Sequence, residues 1–199
     1  MRREERDMSR RSEQNSSSGI AHDRRAARND RVMQDLERYG GEILHSGEME
    51  KAFQQTHHNW STVGEHTLRV AKASLAMCYV LRRLHIKTDI PDVVKASLCH
   101  DLGILGRYEK FSGNRECYRQ HPIDSVVIAR ALANNLSDKS ADIIERHMWP
   151  AAHSKHPNSL EGVIVSTADK YAAVKDFFQG SSIKHTGPKP FLHRILRRK

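Results

Sequence analysis

The sequence predicts an all-α protein folded as one domain. Apolar residues recur at helical spacing in several segments, and residues that cap or stop helices separate these segments. No run alternates apolar and polar side chains as a half-buried strand does, and no internal repeat is present. A chain of 199 residues suits one domain with a sizeable core, because domains run at roughly 100 to 200 residues.

The first half of the chain is predicted to form four helices, over about residues 23–39, 47–56, 62–86 and 90–102. Gly40-Gly41 is expected to end the first of them. The third is the clearest, because two adjoining apolar stripes run along it and indicate a largely buried central helix. Pro91 lies in the first turn of the fourth, where its missing N–H does no harm, and Gly103 ends that helix.

The second half is predicted to form three helices, over about residues 122–135, 138–149 and 159–178. Residues 104–120 contain two glycines and several charges, and are expected to be a loop or an irregular crossing. Pro122 is expected to start the next helix, since proline is tolerated in a first turn. Ser137 or Asp138 caps the helix that Pro150 ends.

The predicted domain covers residues 23–182, between two polar ends. Residues 1–22 hold too few apolar side chains to order themselves, and residues 183–199 carry six basic and no acidic side chains. Residues 32–182 hold 18 basic and 18 acidic side chains, so the net charge of +9 comes from the ends. The neutral middle favours a small-molecule substrate. Contact of the C-terminal basic tail with nucleic acid or an anionic membrane surface is a less favoured alternative to a solvated end.

The cysteines and the hydropathy indicate an intracellular protein. Cys78, Cys99 and Cys117 are odd in number and have no C-x-x-C spacing, which argues against a disulfide framework and against a zinc knuckle. No stretch approaches the roughly 20 apolar residues of a membrane helix. The N-terminus lacks the apolar core of a secretory signal. We therefore expect reduced thiols and a cytoplasmic location.

Single His and Asp residues within the apolar helical segments point to a metal site. The His100-Asp101 pair ends an apolar segment and would be costly to bury unpaired, and a bound metal ion satisfies both side chains. The same kind of residue recurs at His66, His121, His147 and Asp169. Imidazole and carboxylate together suit divalent Fe, Mn, Co, Ni or Zn. Six candidates exceed one mononuclear site, so the pattern favours two ions.

Each candidate taken alone has an ordinary structural explanation. A buried histidine is more often a hydrogen-bonded core residue than a metal ligand. Asp169 could equally be a cap or a salt-bridge partner on its helix. The presence of the His100-Asp101 doublet beside the single residues is what favours a common site.

These residues resemble the signature of the HD-domain superfamily of metal-dependent phosphohydrolases, in the order His66, His100-Asp101, Asp169. The additional His121 and His147 resemble its six-ligand branch, which includes cyclic-dinucleotide phosphodiesterases, diadenosine-tetraphosphate hydrolases and diiron oxygenases. Local contexts are similar as well, as in the run Leu98-Cys99-His100-Asp101-Leu102-Gly103. The resemblance covers about residues 56–178 and implies an HD-type helical bundle with a metal site in its core.

The resemblance also implies roles for these residues. His66, His100, Asp101 and Asp169 hold the first metal, Asp101 bridges the two ions, and His121 and His147 complete the second site. The implied reaction is hydrolysis of a phosphate ester or anhydride of a nucleotide-like molecule, with a water whose pKa the metals lower.

The chain departs from the family at Ile104, where many members have a lysine three residues after the motif's Asp. Arg69, one turn after His66, is the candidate for supplying the missing positive charge. Arg107 and Lys170 are further candidates for contacting the substrate. For each of them, a solvated or salt-bridged surface charge is the alternative interpretation.

Two more residues, His58 and Trp149, are predicted to line the substrate site. His58 precedes the helix of His66, and Trp149 could stack on a nucleobase or pack in the core.

Two other functions stay open. The six-ligand pattern and the missing lysine also permit a diiron oxygenase. The third possibility is a non-catalytic HD fold that senses a nucleotide.

Overall fold

The computed structural model of the chain describes residues 26–58, 61–151 and 154–180, together with Asp23, and forms a helical bundle. The first helix, α1, covers residues 26–44. The helices that follow are α2 (Gly47–Gln54), α3 (Val63–Arg83), α4 (Ile90–Cys99), α5 (Arg107–Lys110), α6 (Asn114–Leu132), α7 (Asp138–Arg146) and α8 (Leu160–Gly180). This confirms the all-α prediction. The expected tails, residues 1–22 and 183–199, lie outside the described residues.

Two short strands interrupt the helices. The strands β1 (Thr56–His58) and β2 (Ser61–Thr62) pair in antiparallel orientation just before α3. No strand was predicted from the sequence, because strands this short offer no period-2 pattern to detect. A 3-10 turn, Leu102–Ile104, follows α4.

Helix α3 is the central element of the bundle and packs against α2, α4 and α8. Its first turn is fixed by a capping box, in which Thr62 accepts from the Glu65 backbone N–H while the Glu65 side chain accepts from the Thr62 N–H. Leu68, Val70 and Leu75 are fully or almost fully buried along it. The two apolar stripes therefore make α3 a largely buried helix, as expected from the sequence.

Helix α1 does not end at Gly40-Gly41, which corrects the prediction. It continues to residue 44, because Ile43 and Leu44 bury their side chains in the core. Gly40 serves close packing instead of helix termination. A Cβ at this position would clash with the Leu98 side chain and lie 2.9 Å from Cγ1 of Val94, so α1 and α4 approach each other through this glycine.

Helix α6 begins at Asn114, eight residues before the predicted start at Pro122, so much of the predicted loop over 104–120 is helical. Its buried residues Cys117, His121 and Ser125 recur every four positions and form one inward stripe. The burial of this stripe opposes the cost of a proline inside a helix, where one hydrogen bond is lost. The remaining predicted helices occur within a few residues of their expected bounds, with Ser137 as the cap of α7.

None of the described helices combines the length and the apolar character needed to cross a bilayer.

Candidate metal centre

Six buried His and Asp side chains from five segments of the chain converge in the core of the bundle. His66 comes from the first turn of α3, His100 and Asp101 from the turn after α4, and the rest are His121 of α6, His147 after α7 and Asp169 of α8. None of the six is more than 7% exposed. The structure thus brings together all the residues that the sequence analysis selected as metal ligands.

The first half of the cluster contains His66, His100 and Asp169. Nε2 of His66 lies 3.0 Å from Oδ1 of Asp169, and Nε2 of His100 lies 3.8 Å from the same oxygen. Ligands that bind one ion at right angles, each about 2.1 Å from it, lie roughly 3.0 Å apart. The three donor atoms are therefore close enough to share one ion with little adjustment.

The second half contains Asp101, His121 and His147. Oδ1 of Asp101 lies 3.3 Å from Nε2 of His121 and 3.4 Å from Nε2 of His147. The two imidazole nitrogens are 3.2 Å apart. These nearly equal separations describe a triangle of donors of the size that a single divalent ion fills.

Asp101 joins the two halves through its two carboxylate oxygens. While Oδ1 faces His121 and His147, Oδ2 lies 3.4 Å from Nε2 of His100 and 3.9 Å from Nε2 of His66. A carboxylate placed in this way can bind one ion with each oxygen. The geometry fits a bridging ligand between two ions.

The far nitrogens of three histidines are fixed by backbone carbonyls. Nδ1 of His100 donates to the Ser97 carbonyl at 2.8 Å and Nδ1 of His147 donates to Ile144 at 2.7 Å, each using a carbonyl at a helix C-terminus. Nδ1 of His121 donates to Cys117 at 2.7 Å. Because a carbonyl oxygen can only accept, Nδ1 carries the hydrogen and Nε2 of the neutral ring presents a lone pair to the centre.

This arrangement leaves polar atoms that a metal would satisfy. Nε2 of His100 is buried and has no hydrogen-bond partner among the residues that the structure describes. Nε2 of His121 and Nε2 of His147 face each other at 3.2 Å, a contact that is favourable only with a proton or a metal ion between the two nitrogens. The residues present therefore fit two divalent ions bound by nitrogen and oxygen donors.

The histidines of the centre differ in their pKa values. Burial disfavours the imidazolium of His66, but the hydrogen bonds to Asp169 and Asp176 outweigh it and raise the pKa to about 9. Burial likewise opposes the charge on His121, yet contact with Asp101 raises its pKa to about 10. For His100, burial dominates and lowers the pKa to about 4. His100 is therefore held as a neutral donor.

Asp176 is a residue of the centre that the sequence analysis missed. Its Oδ2 accepts from Nδ1 of His66 at 3.0 Å, and its Oδ1 lies 2.7 Å from Nε of Arg69. Burial raises its pKa, but the pairing with His66 and Arg69 more than offsets this and holds it below the usual range. Asp176 lies seven residues after Asp169 on α8, so the helical period offered a signal for it.

The two predicted cations nearest the cluster have different partners. Lys170 donates from Nζ to Oδ2 of Asp169 at 2.6 Å and to the His147 carbonyl at 3.1 Å, so it touches both halves of the centre. Arg69 is instead paired with Asp176. Its proposed contact with substrate stays a prediction.

Two of the other predicted substrate residues, Arg107 and Trp149, lie outside the immediate cluster. Arg107 is on α5, where it donates to Oδ1 of Asn114 at 2.7 Å. Trp149 is partly buried, with its ring 4.8 Å from that of His156. His58 belongs to β1, and its side chain falls outside the described part of the chain.

The position of the missing lysine is occupied by an apolar side chain. Ile104 is 3% exposed and belongs to the core. Its carbonyl accepts a hydrogen bond from Nε2 of Gln55 at 3.0 Å.

Gly103, one residue earlier, packs directly on α6. Its N–H donates to Oγ of Ser125 at 2.8 Å, and a Cβ at this position would clash with the carbonyl oxygen of His121. This close approach sets the position of the His100-Asp101 turn against His121.

One comparison with known proteins gives a match. The family model described as HD domain matches residues 63–174, which is more than half of the chain and includes all six residues of the cluster. The comparison with curated proteins and the comparison with solved structures gave no significant match.

Proposed function

Because the chain belongs to the HD domain family, we propose that it is a metal-dependent phosphohydrolase that cleaves a nucleotide-like phosphate ester or anhydride. The observation that carries the proposal is the position of Asp101, whose two oxygens face two separate sets of histidines. The two sets of side chains would hold divalent ions, whose chemistry there would be to lower the pKa of a bound water and to neutralise charge on a phosphoryl group.

The side chains of the cluster have distinct tasks in this proposal. The histidines direct Nε2 inward because their Nδ1 atoms are held by carbonyls or by Asp176. Burial excludes water from the donors and so strengthens their hold on cations. Asp101 keeps the two halves at a fixed separation, so that a substrate phosphate meets both.

Lys170 is the cation best placed for the role of the absent motif lysine. Its ammonium group lies between Asp169 and the backbone of His147, beside both halves of the cluster. We propose that it stabilises negative charge that develops on the phosphoryl oxygens. Arg69 acts indirectly in this account, through Asp176 and His66, and Trp149 offers an aromatic face to a base.

A diiron oxygenase is the second candidate. The observation that favours it is Ile104, an apolar core residue where hydrolases of the family often place a lysine. The two functions share the donor set and differ in their need for oxygen.

The test is an assay of purified full-length chain loaded with Mn or Fe under nitrogen, against a panel of nucleoside phosphates and dinucleotides. We expect the wild type to release phosphate or a nucleoside monophosphate without oxygen. Asp101→Asn is expected to lose this activity. Turnover that consumes oxygen and releases no phosphate would establish the oxygenase instead. Tight nucleotide binding without turnover under any metal would indicate a sensor.

A further inference from the structure

Helices α1, α3 and α8 border a groove of about 1360 Å³ that the proposed function does not use. None of the six cluster residues lines this groove, so it is separate from the metal centre. Its volume exceeds the several hundred cubic ångströms of an ordinary small-molecule pocket. It can hold a ligand of nucleotide size.

Positive charge dominates the lining of the groove. Of the described residues, five basic side chains line it, namely Arg28, Arg38, Arg69, Lys72 and Lys175. Two acidic side chains of the same described lining, Asp30 and Glu37, oppose them. Glu37 already faces an imidazole, since its Oε1 lies 2.9 Å from Nε2 of His45. The excess of basic over acidic side chains in the groove contrasts with the equal numbers of basic and acidic side chains in residues 32–182 as a whole.

Two of these cations are crowded on one helix. Arg69 and Lys72 lie three residues apart on α3, and burial together with the Arg69 charge lowers the pKa of Lys72. Nε of Arg69 forms an ion pair with Oδ1 of Asp176 at 2.7 Å, and in the described part of the chain Nη2 is buried without a hydrogen-bond partner. An anion in the groove would offset the repulsion between Arg69 and Lys72.

The remaining lining is suited to a ring system. The side chain of Tyr171 is 56% exposed at the groove, and Met33, Ala73 and Ala76 add apolar surface. A bare inorganic anion would use only the charged part of this lining.

We propose that the groove is a second ligand site, which binds a small molecule bearing both a phosphate group and an aromatic ring. The phosphate contacts Arg69, Lys72 and Lys175, and the ring lies against Tyr171. The site goes beyond the proposed hydrolysis, since its lining excludes the metal cluster. It adjoins the centre through Arg69, which lines the groove and also pairs with Asp176 beside His66.

Equilibrium dialysis of the metal-loaded full chain tests the proposal, with the 5′-methylenephosphonate analogue of adenosine as a probe that cannot be hydrolysed. The wild type is expected to bind two equivalents, one at the metal centre and one in the groove. Lys72→Gln/Lys175→Gln is expected to lose the groove equivalent through a decrease in affinity of about tenfold or more, because both substitutions remove a charge-assisted contact. If the wild type binds one equivalent of the analogue and the double variant binds none, the groove is the binding site. That result would count against binding of the analogue at the metal centre.

The matched control is Lys51→Gln/Lys87→Gln, which removes the same net charge from exposed positions outside the groove. It should bind as the wild type does. Equal binding by all three proteins, or equal losses in both double variants, would overturn the proposal. Circular dichroism verifies folding, and the exposed single variant Lys175→Gln replaces the double variant if that variant does not fold.

Discussion

Nδ1 of His66 lies 3.0 Å from Oδ2 of Asp176, on the side of the imidazole ring opposite the nitrogen that faces the metal centre. Asp176 therefore fixes the ring of His66 as the backbone carbonyls fix the other three histidines. A carboxylate in this position orients the ligand and raises its basicity.

Asp176→Asn is expected to weaken metal binding in the half of the centre that contains His66. Loss of such a partner typically lowers metal affinity by about 10- to 100-fold, so one ion per chain should become easier to remove by a chelator. Metal titration monitored by calorimetry gives the two affinities. Asp138→Asn, at a side chain that is 98% exposed, is the control. Unchanged affinities in Asp176→Asn would show that Asp176 is only structural.

Lys170→Gln is expected to lower turnover by roughly 10- to 100-fold while both ions remain bound, because a preorganised positive charge is lost beside the phosphoryl group. Arg69→Gln is expected to behave differently and to weaken metal binding, since Arg69 acts on His66 through Asp176. Steady-state kinetics and metal analysis on the same samples separate the two effects. Wild-type kcat in Lys170→Gln would remove this residue from the chemistry.

Gly103→Ala is expected to destabilise the fold and to disturb the centre. The new Cβ would clash with the carbonyl oxygen of His121 and lie 2.6 Å from the Ser125 amide nitrogen, so backbone must move. Overpacking of this kind costs about 1 to 3 kcal/mol. Gly47→Ala is the matched control, because its Cβ meets no atom within 4 Å. The free energy of unfolding from denaturant titration should fall for the first variant and stay equal or rise for the second.

Metal binding is expected to release protons at pH 7. The pKa of His66 is raised to about 9 and that of His121 to about 10, so both rings are charged at pH 7 before an ion binds. Each must lose the proton on Nε2 to become a ligand, which gives about two protons released per loaded chain. Affinity should therefore increase as pH rises from about 6.5 to 9. Calorimetry in buffers of different ionisation enthalpy measures the proton count, and a count near zero contradicts these pKa values.

The sequence was sufficient to predict the all-α fold and the six clustered residues. Each of the six is a polar side chain within or directly after an apolar helical segment, and burying such a group has a cost that demands a partner. Helical periodicity therefore identified the inward positions even though the six come from distant parts of the chain. The relation between the two oxygens of Asp101 follows from the helix packing, which sequence patterns do not specify.

The errors arose where tertiary packing overrides a local signal. Gly40-Gly41 was expected to stop α1, yet Gly40 permits close contact with Leu98 and Val94 of α4. Pro122 was expected to begin α6, yet the buried stripe of Cys117 and His121 extends that helix towards the N-terminus. Glycine and proline have such dual roles because the burial of a helix face can outweigh their local preferences.

Asp176 was missed because a single carboxylate near the end of α8 has no motif of its own. Its role depends on the crossing of α3 and α8, which brings it to His66 and Arg69. The basic residues of the groove were missed for the same reason, since Arg28 on α1 and Lys175 on α8 come to line one groove only in the folded chain.

The central claim is that Asp101 bridges two ions. Anomalous scattering from crystals of the metal-loaded chain, measured on both sides of the metal absorption edge, tests it most directly. The account predicts two anomalous peaks, one among His66, His100 and Asp169 and one between His121 and His147, each next to a different oxygen of Asp101. A single peak at full metal loading, or no peak within this cluster, would contradict it.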